Sequence, residues 1–366
     1  MTLEIIILFI LFFISHSIFL GIVLYNYSTA PKISNSDIKI ESKINLSVLI
    51  PARNEENNIG NLLESLQRQT FPIHEIIVLN DHSADNTYEI VRDFAGTDTK
   101  IKLINGRALP GGWTGKNWAC HQLAQQATGN IFLFLDADVI LTKFAIANSV
   151  NLFVKKQTSM LSVFPTQLIK SMGERLIVPL MDWLLLSFLP LLTVYNLKNK
   201  IFSAANGQFI LIDSKIYSLT GGHERVKSKV VEDMELSKLV KENGNKVITA
   251  LGGESVFCRM YNSFSDAFDG FTKNFFRGFN VSKTVFLFFI SSLLILFLVP
   301  LILLFIYPIF SVIVLMILLE RVFVSILSGQ NWIYNIFLHP FQIIIMYLIG
   351  LNSTFKKEIR WKDRVL

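Results

Sequence analysis

The sequence predicts a mixed α/β fold: a doubly wound, mostly parallel sheet with an N-terminal membrane anchor before it and C-terminal transmembrane helices after it. Three observations predict this. Four short apolar runs alternate with amphipathic stretches between residues 46 and 135. Long uncharged apolar segments lie towards both ends of the chain. Of 366 residues, 51% are hydrophobic and 17% charged; soluble globular chains run near about 25% charged, which excludes a wholly soluble protein. The ordinary soluble character of residues 32–165 excludes a chain lying wholly in a membrane.

Residues 5–25 form the first apolar run, broken only by uncharged Ser15, His16, Ser17 and Gly21. At about 1.5 Å per residue it spans a hydrocarbon core of about 30 Å. Ser28-Thr29-Ala30 supplies the small residues of a signal-peptide cleavage site. The apolar region is nonetheless long for one, and Glu4 replaces the expected cation, so a retained anchor over 1–27 is expected. Lys32, Lys39 and Lys43 follow and turn this flank to the cytoplasm by the positive-inside bias.

In the globular stretch, 46–50, 75–79, 101–104 and 131–135 are apolar runs of buried-strand length. Helices are expected over 55–69, where Ile59, Leu62, Leu63 and Leu66 trace one face, over 85–94, and from about 116 to 126. Such alternation builds a parallel sheet whose ligands sit beyond the C-terminal strand ends. Three of those ends are polar: 51–56 (PARNEE), 80–83 (NDHS) and 136–138 (DAD). Alternate residues of an extended chain point the same way, which places Asp136 and Asp138 to face one cation. Hard divalent ions such as Mg²⁺ or Mn²⁺ take oxygen ligands and complete their shells with substrate phosphates. The pair therefore reads as a metal–diphosphate site; loop solvation is the plainer reading of an isolated Asp-x-Asp.

Beyond it, 176–197 holds Pro179, Asp182 and Pro190 and reads as a helix on the membrane surface rather than a span. Over 264–279, Phe264, Phe268, Phe271, Phe275 and Phe279 make one helical face, opposite Asp266, Asp269, Lys273 and Arg277. A core-facing helix and an interfacial one both fit. Apolar runs at 285–307, 309–327 and 332–351 follow, punctuated by Pro300 and Pro308; Glu320 and Arg321 inside the second are expected to face protein or water. Three crossings would leave the C-terminus outside. Lys356, Lys357, Arg360, Lys362 and Arg364, against Glu358 and Asp363, argue for inside, so one of the three runs is expected to be re-entrant or interfacial. The division is then 1–27 anchor, 28–280 globular domain, 281–352 transmembrane helices and 353–366 basic cytoplasmic tail, in a multi-pass protein of the cell (inner or plasma) membrane.

The motifs PARNEE (51–56), LNDHSADNT (79–87), FLDADV (134–139), GG (221–222) and VEDMEL (231–236) occur in an order that resembles a family 2 glycosyltransferase with the GT-A fold, over roughly 46–280. PGGWTGKNWA (110–119), GGHE (221–224), FCRMY (257–261) and RWKDR (360–364) resemble its membrane-anchored branch. That branch is similar to carotenoid (diaponeurosporenoate-type) and hopanoid-associated glycosyltransferases. The resemblance implies a UDP- or GDP-sugar donor, a Mg²⁺ or Mn²⁺ cofactor, a lipid-like acceptor and inversion at the anomeric carbon. It implies that Pro51, Arg53, Glu55 and Asp81 hold the nucleoside, with Glu55 near the ribose and Asp81 at the base. Asp136 and Asp138 would hold the diphosphate through the metal, Asp138 directly, and Asp233 beside Glu232 would be the general base. An acid-rich helix N-terminus is the plainer reading of Glu232 and Asp233; the motif order favours catalysis. A carboxylate acceptor, with a pKa near ~4, is already ionised at neutral pH, so an intact Glu-Asp pair leans to a hydroxyl acceptor.

There are departures. Processive members carry Gln-x-x-Arg-Trp; 274–278 offers Arg277 but neither Gln nor Trp, which favours one sugar per acceptor over a polymer. A processive synthase and a non-catalytic scaffold are the competing readings. The loop 111–116 fails the Walker pattern, leaving Lys116 to offset diphosphate charge or to lie at the surface. Gly222 and His223 either line the acceptor pocket or make a turn. Trp361, Lys362 and Arg364 match the branch's terminal Trp-Lys-x-Arg; contact with anionic headgroups is the alternative. Cys120 and Cys258, far apart and without metal spacing, exclude a disulfide scaffold and a zinc ribbon. The net charge of +6 reflects membrane-proximal lysines, and no basic stripe with stacking aromatics points to nucleic acid.

Overall fold

The computed structural model describes residues 2–38, 40, 44–356, 360–361 and 364–365. Lys39, Lys43, Lys357, Glu358, Lys362 and Asp363, which entered the topology and tail expectations, lie outside the described residues. By clustering of contacts the chain forms two units, one of Met1–Ala30, Gln167–Leu191 and Met260–Ile359, the other of Pro31–Thr166, Leu192–Arg259 and Arg360–Leu366.

The second unit holds the sheet. The four expected strands are β1 (Leu46–Ala52), β2 (Glu75–Asn80), β3 (Ile101–Asn105) and β4 (Ile131–Leu135). Further along the chain come β5 (Val139–Leu141), β6 (Met160–Phe164), β7 (Thr166–Gln167), β8 (Phe209–Asp213), β9 (Val247–Leu251) and β10 (Val256–Cys258). Seven of them form one sheet in the order β3-β2-β1-β4-β8-β6-β9. Pairing is parallel except at β8, which runs antiparallel to both β4 and β6. The expected mostly parallel sheet is therefore present. Every residue of β2, β4, β6 and β9 is buried, as strands covered on both faces must be.

Helices Ile59–Gln67, Thr87–Thr97 and Gly115–Gln126 connect the first four strands. The first begins four residues later than the expected 55, at the first residue of its apolar stripe. The Glu55 N–H donates to Thr87 Oγ1 at 2.7 Å and the Glu56 N–H to Asp85 Oδ2 at 3.0 Å, which holds 55–58 as a turn.

In the first unit, Leu3–Thr29, Lys283–Leu303 and Pro308–Ser328 are long and apolar enough to cross a membrane. The third C-terminal apolar run is broken at Leu338 into Trp332–Phe337 and His339–Phe355, and the latter buries His339, Gln342, Ser353 and Thr354. Glu320 and Arg321 are buried in protein. The Trp183 indole N–H donates to Glu320 Oε1 at 3.0 Å, while the Arg321 guanidinium donates to Gln342 and to the Asn335 carbonyl.

The segment 176–197 is not the single surface helix expected. It is cut into Met172–Ile177, Pro179–Phe188 and Leu191–Asn196: Pro179 has no N–H to continue the helical bonding past Val178, and Leu189 ahead of Pro190 is extended. Trp183 and Leu186 are fully buried, and Pro179–Phe188 packs on Leu3–Thr29 and Ser311–Ser328. Asn26 closes the break: its amide donates to the carbonyls of Leu186 (2.8 Å) and Leu189 (2.9 Å), and its Oδ1 accepts from the Leu191 N–H (2.8 Å). Helix Phe264–Phe279 turns Phe268, Phe271 and Phe275 onto Ile177, Ala267 and Ile349, so the middle of the Phe stripe is core-facing, and Phe264 and Phe279 at its ends are exposed.

Candidate active site

The carboxyl ends of β1, β2 and β4 lie along one edge of the sheet, and antiparallel β8 begins at that same edge. Leu135 pairs with Phe209 there, and the Asp136 N–H donates to the Gln208 carbonyl at 3.1 Å. Gly207 and Gln208 are thereby set beside the end of β4. Helix Glu232–Glu242 brings its acidic first turn to the same place, where the Gly207 N–H donates to Asp233 Oδ2 at 2.7 Å.

Lys116, in the first turn of Gly115–Gln126, ties these parts together. Its ammonium is 2.8 Å from each Asp136 carboxylate oxygen and 3.2 Å from Glu232 Oε1. Burial alone would lower its pKa, but Asp136 and Glu232 outweigh that and hold it well above the usual lysine value. A Cβ on Gly207 would lie 3.0 Å from both Lys116 Nζ and Glu232 Oε1, so this position has little room for a side chain. Asp233 also accepts from the Met234 N–H at 2.7 Å. Burial, and then the neighbouring Glu232, push its carboxyl up to about 7.

Asp138 is held differently. The chain turns at Ala137, and the Val139 N–H donates to the Asp136 carbonyl at 3.2 Å. Asp136 and Asp138 therefore do not simply project together from an extended strand as expected: Asp136 meets Lys116, whereas Asp138 hydrogen-bonds the Cys258 thiol. Asp138 Oδ1 is buried without a hydrogen-bond partner. Burial, then Asp136 and Glu55, raise the Asp138 carboxyl to about 7. An orphaned acceptor in excess negative charge suits a cation. Among the described residues no group of three or more His, Cys, Asp or Glu side chains is arranged to hold a metal alone. The residues fit an ion that takes two carboxylates and draws its remaining ligands from substrate oxygens.

At the ends of β1 and β2 the backbone is locked into a lip. Arg53 donates to the Asp81 and His82 carbonyls (2.8 and 3.1 Å), and the Asp81 N–H donates to Ala52 (2.8 Å). Asn54 and His82 both take left-handed backbone angles, and Asn54 Oδ1 accepts from the Ala84 N–H at 2.8 Å.

Residues 47–175, which contain this lip, Lys116, Asp136 and Asp138, match the family described as "Glycosyl transferase family 2". This segment is a family 2 glycosyltransferase domain. The 4,4'-diaponeurosporenoate glycosyltransferase of Staphylococcus aureus (strain USA300) is 30% identical over 250 residues, 65% of this chain and 62% of the relative. The chain thus spans less than two thirds of the length of the curated relatives it matches. Similar solved structures include the mannosyltransferase PcManGT from Pyrobaculum calidifontis in complex with GDP-Man and Mn²⁺, at 17% identity and TM-score 0.46, covering 72% of this chain and 74% of that one. S. aureus TarS 1-349 in complex with UDP-GlcNAc is 17% identical with TM-score 0.45, covering 78% and 93%.

In and beside the family 2 glycosyltransferase domain, Lys116, Asp136, Glu232 and Asp233 converge, and Arg53, Glu55, Asp81 and Pro51, the last opposite Leu79, form the neighbouring lip. Gly222 and His223 belong to the packing instead. His223 is buried, its ring nitrogen 3.0 Å from the Tyr217 hydroxyl and its ring edge-on to Phe134; burial, then Lys116, lower its pKa to about 3. At Gly222, which opens the short helix Gly222–Arg225, φ is +48° and a Cβ would collide with the Tyr217 ring. Arg277 lies in the other unit and donates to the Lys273 carbonyl of its own helix. Trp361 and Arg364 fall in two-residue strands, Arg360–Trp361 and Arg364–Val365. Sequence reasoning missed Gly207, Gln208 and Cys258. The one local signal was a glycine flanked by amides, Asn206-Gly207-Gln208, just before a strand.

Proposed function

We propose that this chain is a membrane-held enzyme that transfers one sugar, with inversion, from a UDP- or GDP-sugar to an apolar, hydroxyl-bearing lipid acceptor, using Mg²⁺ or Mn²⁺. One observation carries the reading: Lys116 joins the strand-end carboxylate Asp136 to Glu232 over Gly207, which brings a diphosphate-binding edge beside a carboxylate poised near neutrality.

The chemistry follows from that placement. Asp233 takes the proton of the acceptor hydroxyl, whose oxygen bonds to the anomeric carbon from the face opposite the nucleotide. The bond from that carbon to the diphosphate oxygen breaks, and its electron pair leaves with the diphosphate. A general base works best with a pKa near the operating pH, which burial supplies here. The Lys116 ammonium is close enough to the same edge to take up part of the developing charge. A divalent ion on Asp136 and Asp138 would neutralise the diphosphate. Arg53 and Asp81 shape the lip against which the nucleoside lies. The relative is named for diaponeurosporenoate, a carboxylate, which supports a carotenoid-type acceptor but not its hydroxyl; the hydroxyl rests on Asp233, and three apolar helices would keep the chain where such a molecule dissolves. The catalytic unit is cytoplasmic in this reading.

The test uses membranes containing the chain, or its Asp138→Ala and Asp233→Asn variants, incubated with Mn²⁺, radiolabelled UDP- and GDP-sugars and an isoprenoid-lipid extract. Label should enter the organic phase and be lost in both variants. A high-mass aqueous product would replace this reading with polymer synthesis, and transfer undiminished in Asp233→Asn would remove the base.

A further inference from the structure

The two oxygens of Asp233 have donors of unlike origin. The Met234 N–H, which reaches Oδ1 at 2.7 Å, comes with the helix that carries Asp233. The Gly207 N–H, which reaches Oδ2 at 2.7 Å, comes from the chain just ahead of β8. A glycine has no side chain to set its own direction, so its neighbours must hold it. On one side, Ser162 of β6 engages both backbone groups of Asn206: its Oγ accepts from the Asn206 N–H at 2.7 Å and donates to the Asn206 carbonyl at 3.1 Å. The Asn206 side chain then reaches past Gly207. Its Oδ1 accepts from the Gln208 N–H at 2.9 Å, an Asx turn, and its Nδ2 donates to Gln208 Oε1 at 3.4 Å. On the other side, the Gln208 carbonyl accepts from the Asp136 N–H at 3.1 Å. Ser162, Asn206 and Gln208 are all buried.

We propose that Asn206, anchored by Ser162, is a positioning residue that holds the Gly207 N–H on Asp233 and so favours the proton-free form of the base. The inference rests on the proposed use of Asp233 as the general base. A donor on a carboxylate oxygen stabilises the charged form. Here it works against burial and against Glu232, the neighbour on the same helix, and together with the Lys116 ammonium, which stands between Asp136 and Glu232. It also tethers the second oxygen, so that the carboxylate keeps one orientation at the strand edge. A reacting group is held accurately when buried partners behind it fix the groups that touch it.

The test reads the proton on Asp233 apart from turnover. Infrared difference spectra of the purified full chain in detergent are followed across the neutral pH range, and the protonated-carboxyl band that Asp233→Asn removes is assigned to the base. In Asn206→Ala this band should titrate about one pH unit higher than in the wild type, the scale of one hydrogen bond to a charged group. Ser162→Ala, which removes only a hydroxyl, should shift it in the same direction and serves if Asn206→Ala does not fold. Asn206→Ser, whose hydroxyl accepts from an N–H two residues on, should stay closer to the wild type. Sugar transfer should follow the proton: Asn206→Ala should lose up to about tenfold in kcat/KM below neutrality and recover at alkaline pH, whereas loosened packing would lower it at every pH. A band unshifted in the alanine variants, or shifted equally by alanine and serine at 206, would overturn the inference and leave the base reading standing. No band lost in Asp233→Asn across the neutral range would overturn the base reading and this inference with it.

Discussion

Asp233 and Glu232 are adjacent acids with different surroundings, and that difference separates the roles proposed for them. Glu232 faces the Lys116 ammonium, while Asp233 receives two backbone N–H groups yet is raised to about 7 by burial and by Glu232. A base with a raised pKa is active above it, so kcat/KM for a hydroxyl acceptor should fall about tenfold per pH unit below 7 and level off above. Asp233→Asn should cost at least about a hundredfold and abolish that limb of the profile; a profile unchanged in the variant would assign the limb to another group. Gly207→Ala tests the packing of the same cluster. Its Cβ would press on Lys116 Nζ and Glu232 Oε1 without a backbone penalty, so the pair should part and activity drop with the fold intact, checked by circular dichroism beside the transfer assay. Asp136, Asp138 and Asp233 were legible in the sequence because acids after an apolar strand, or opening a helix, stand out locally. Gly207 and Cys258 were not, because their partners lie tens to more than a hundred residues away and meet only through the antiparallel placement of β8 and β10.

Among the elements, the sheet's other edge is fastened by one buried acid. Glu75, at the start of β2, accepts from Ser47 of β1 (2.7 Å), Lys102 of β3 (2.7 Å) and both the N–H and hydroxyl of Thr128 ahead of β4 (2.7 and 2.8 Å). Burial would raise its pKa, but Lys102 and the Thr128 and Ser47 donors outweigh it and bring it down to about 2. Because the folded value lies below the ordinary one, the stabilisation is complete above the usual carboxylate range and is lost as pH falls towards 2. Glu75→Gln should therefore lower stability by up to roughly 3 kcal/mol at pH 7. The thermal unfolding midpoints of variant and wild type should draw together as pH falls through 4 and meet only at about pH 2 and below; a gap that persists there would assign the loss to packing. The four strands were readable from runs of apolar residues, which both-face burial requires. Helix starts were less so. The apolar stripe over 59–66 marks a face but not a beginning, and here the beginning is set by Thr87 and Asp85, side chains about thirty residues away that claim the N–H groups of 55 and 56. The broken 176–197 segment was misread for a related reason: Pro190 frees backbone groups that only Asn26, from another part of the sequence, satisfies.

On the scale of the whole molecule, the parity of membrane crossings decides whether the tail and the proposed active site share a compartment. Leu3–Thr29 followed by two C-terminal spans, Lys283–Leu303 and Pro308–Ser328, would return the chain to the side on which residues 31–282 lie. A third C-terminal crossing would need 332–355 in hydrocarbon as one helix. That stretch is broken at Leu338 and carries Gln342, whose amide donates to the Arg175 carbonyl and to Asn335 Oδ1, a protein-facing arrangement rather than a lipid-facing one. The two native cysteines are buried, which keeps background labelling low in the folded chain. Phe305→Cys would place a thiol at an 89% exposed position between the two C-terminal spans, and Lys356→Cys an exposed one just after the final long helix. In intact spheroplasts, a membrane-impermeant maleimide should modify the first variant and spare the second until the membrane is opened. Modification at 356 in intact spheroplasts would mean that the chain crosses once more, and the tail would then lie across the membrane from a cytoplasmic active site.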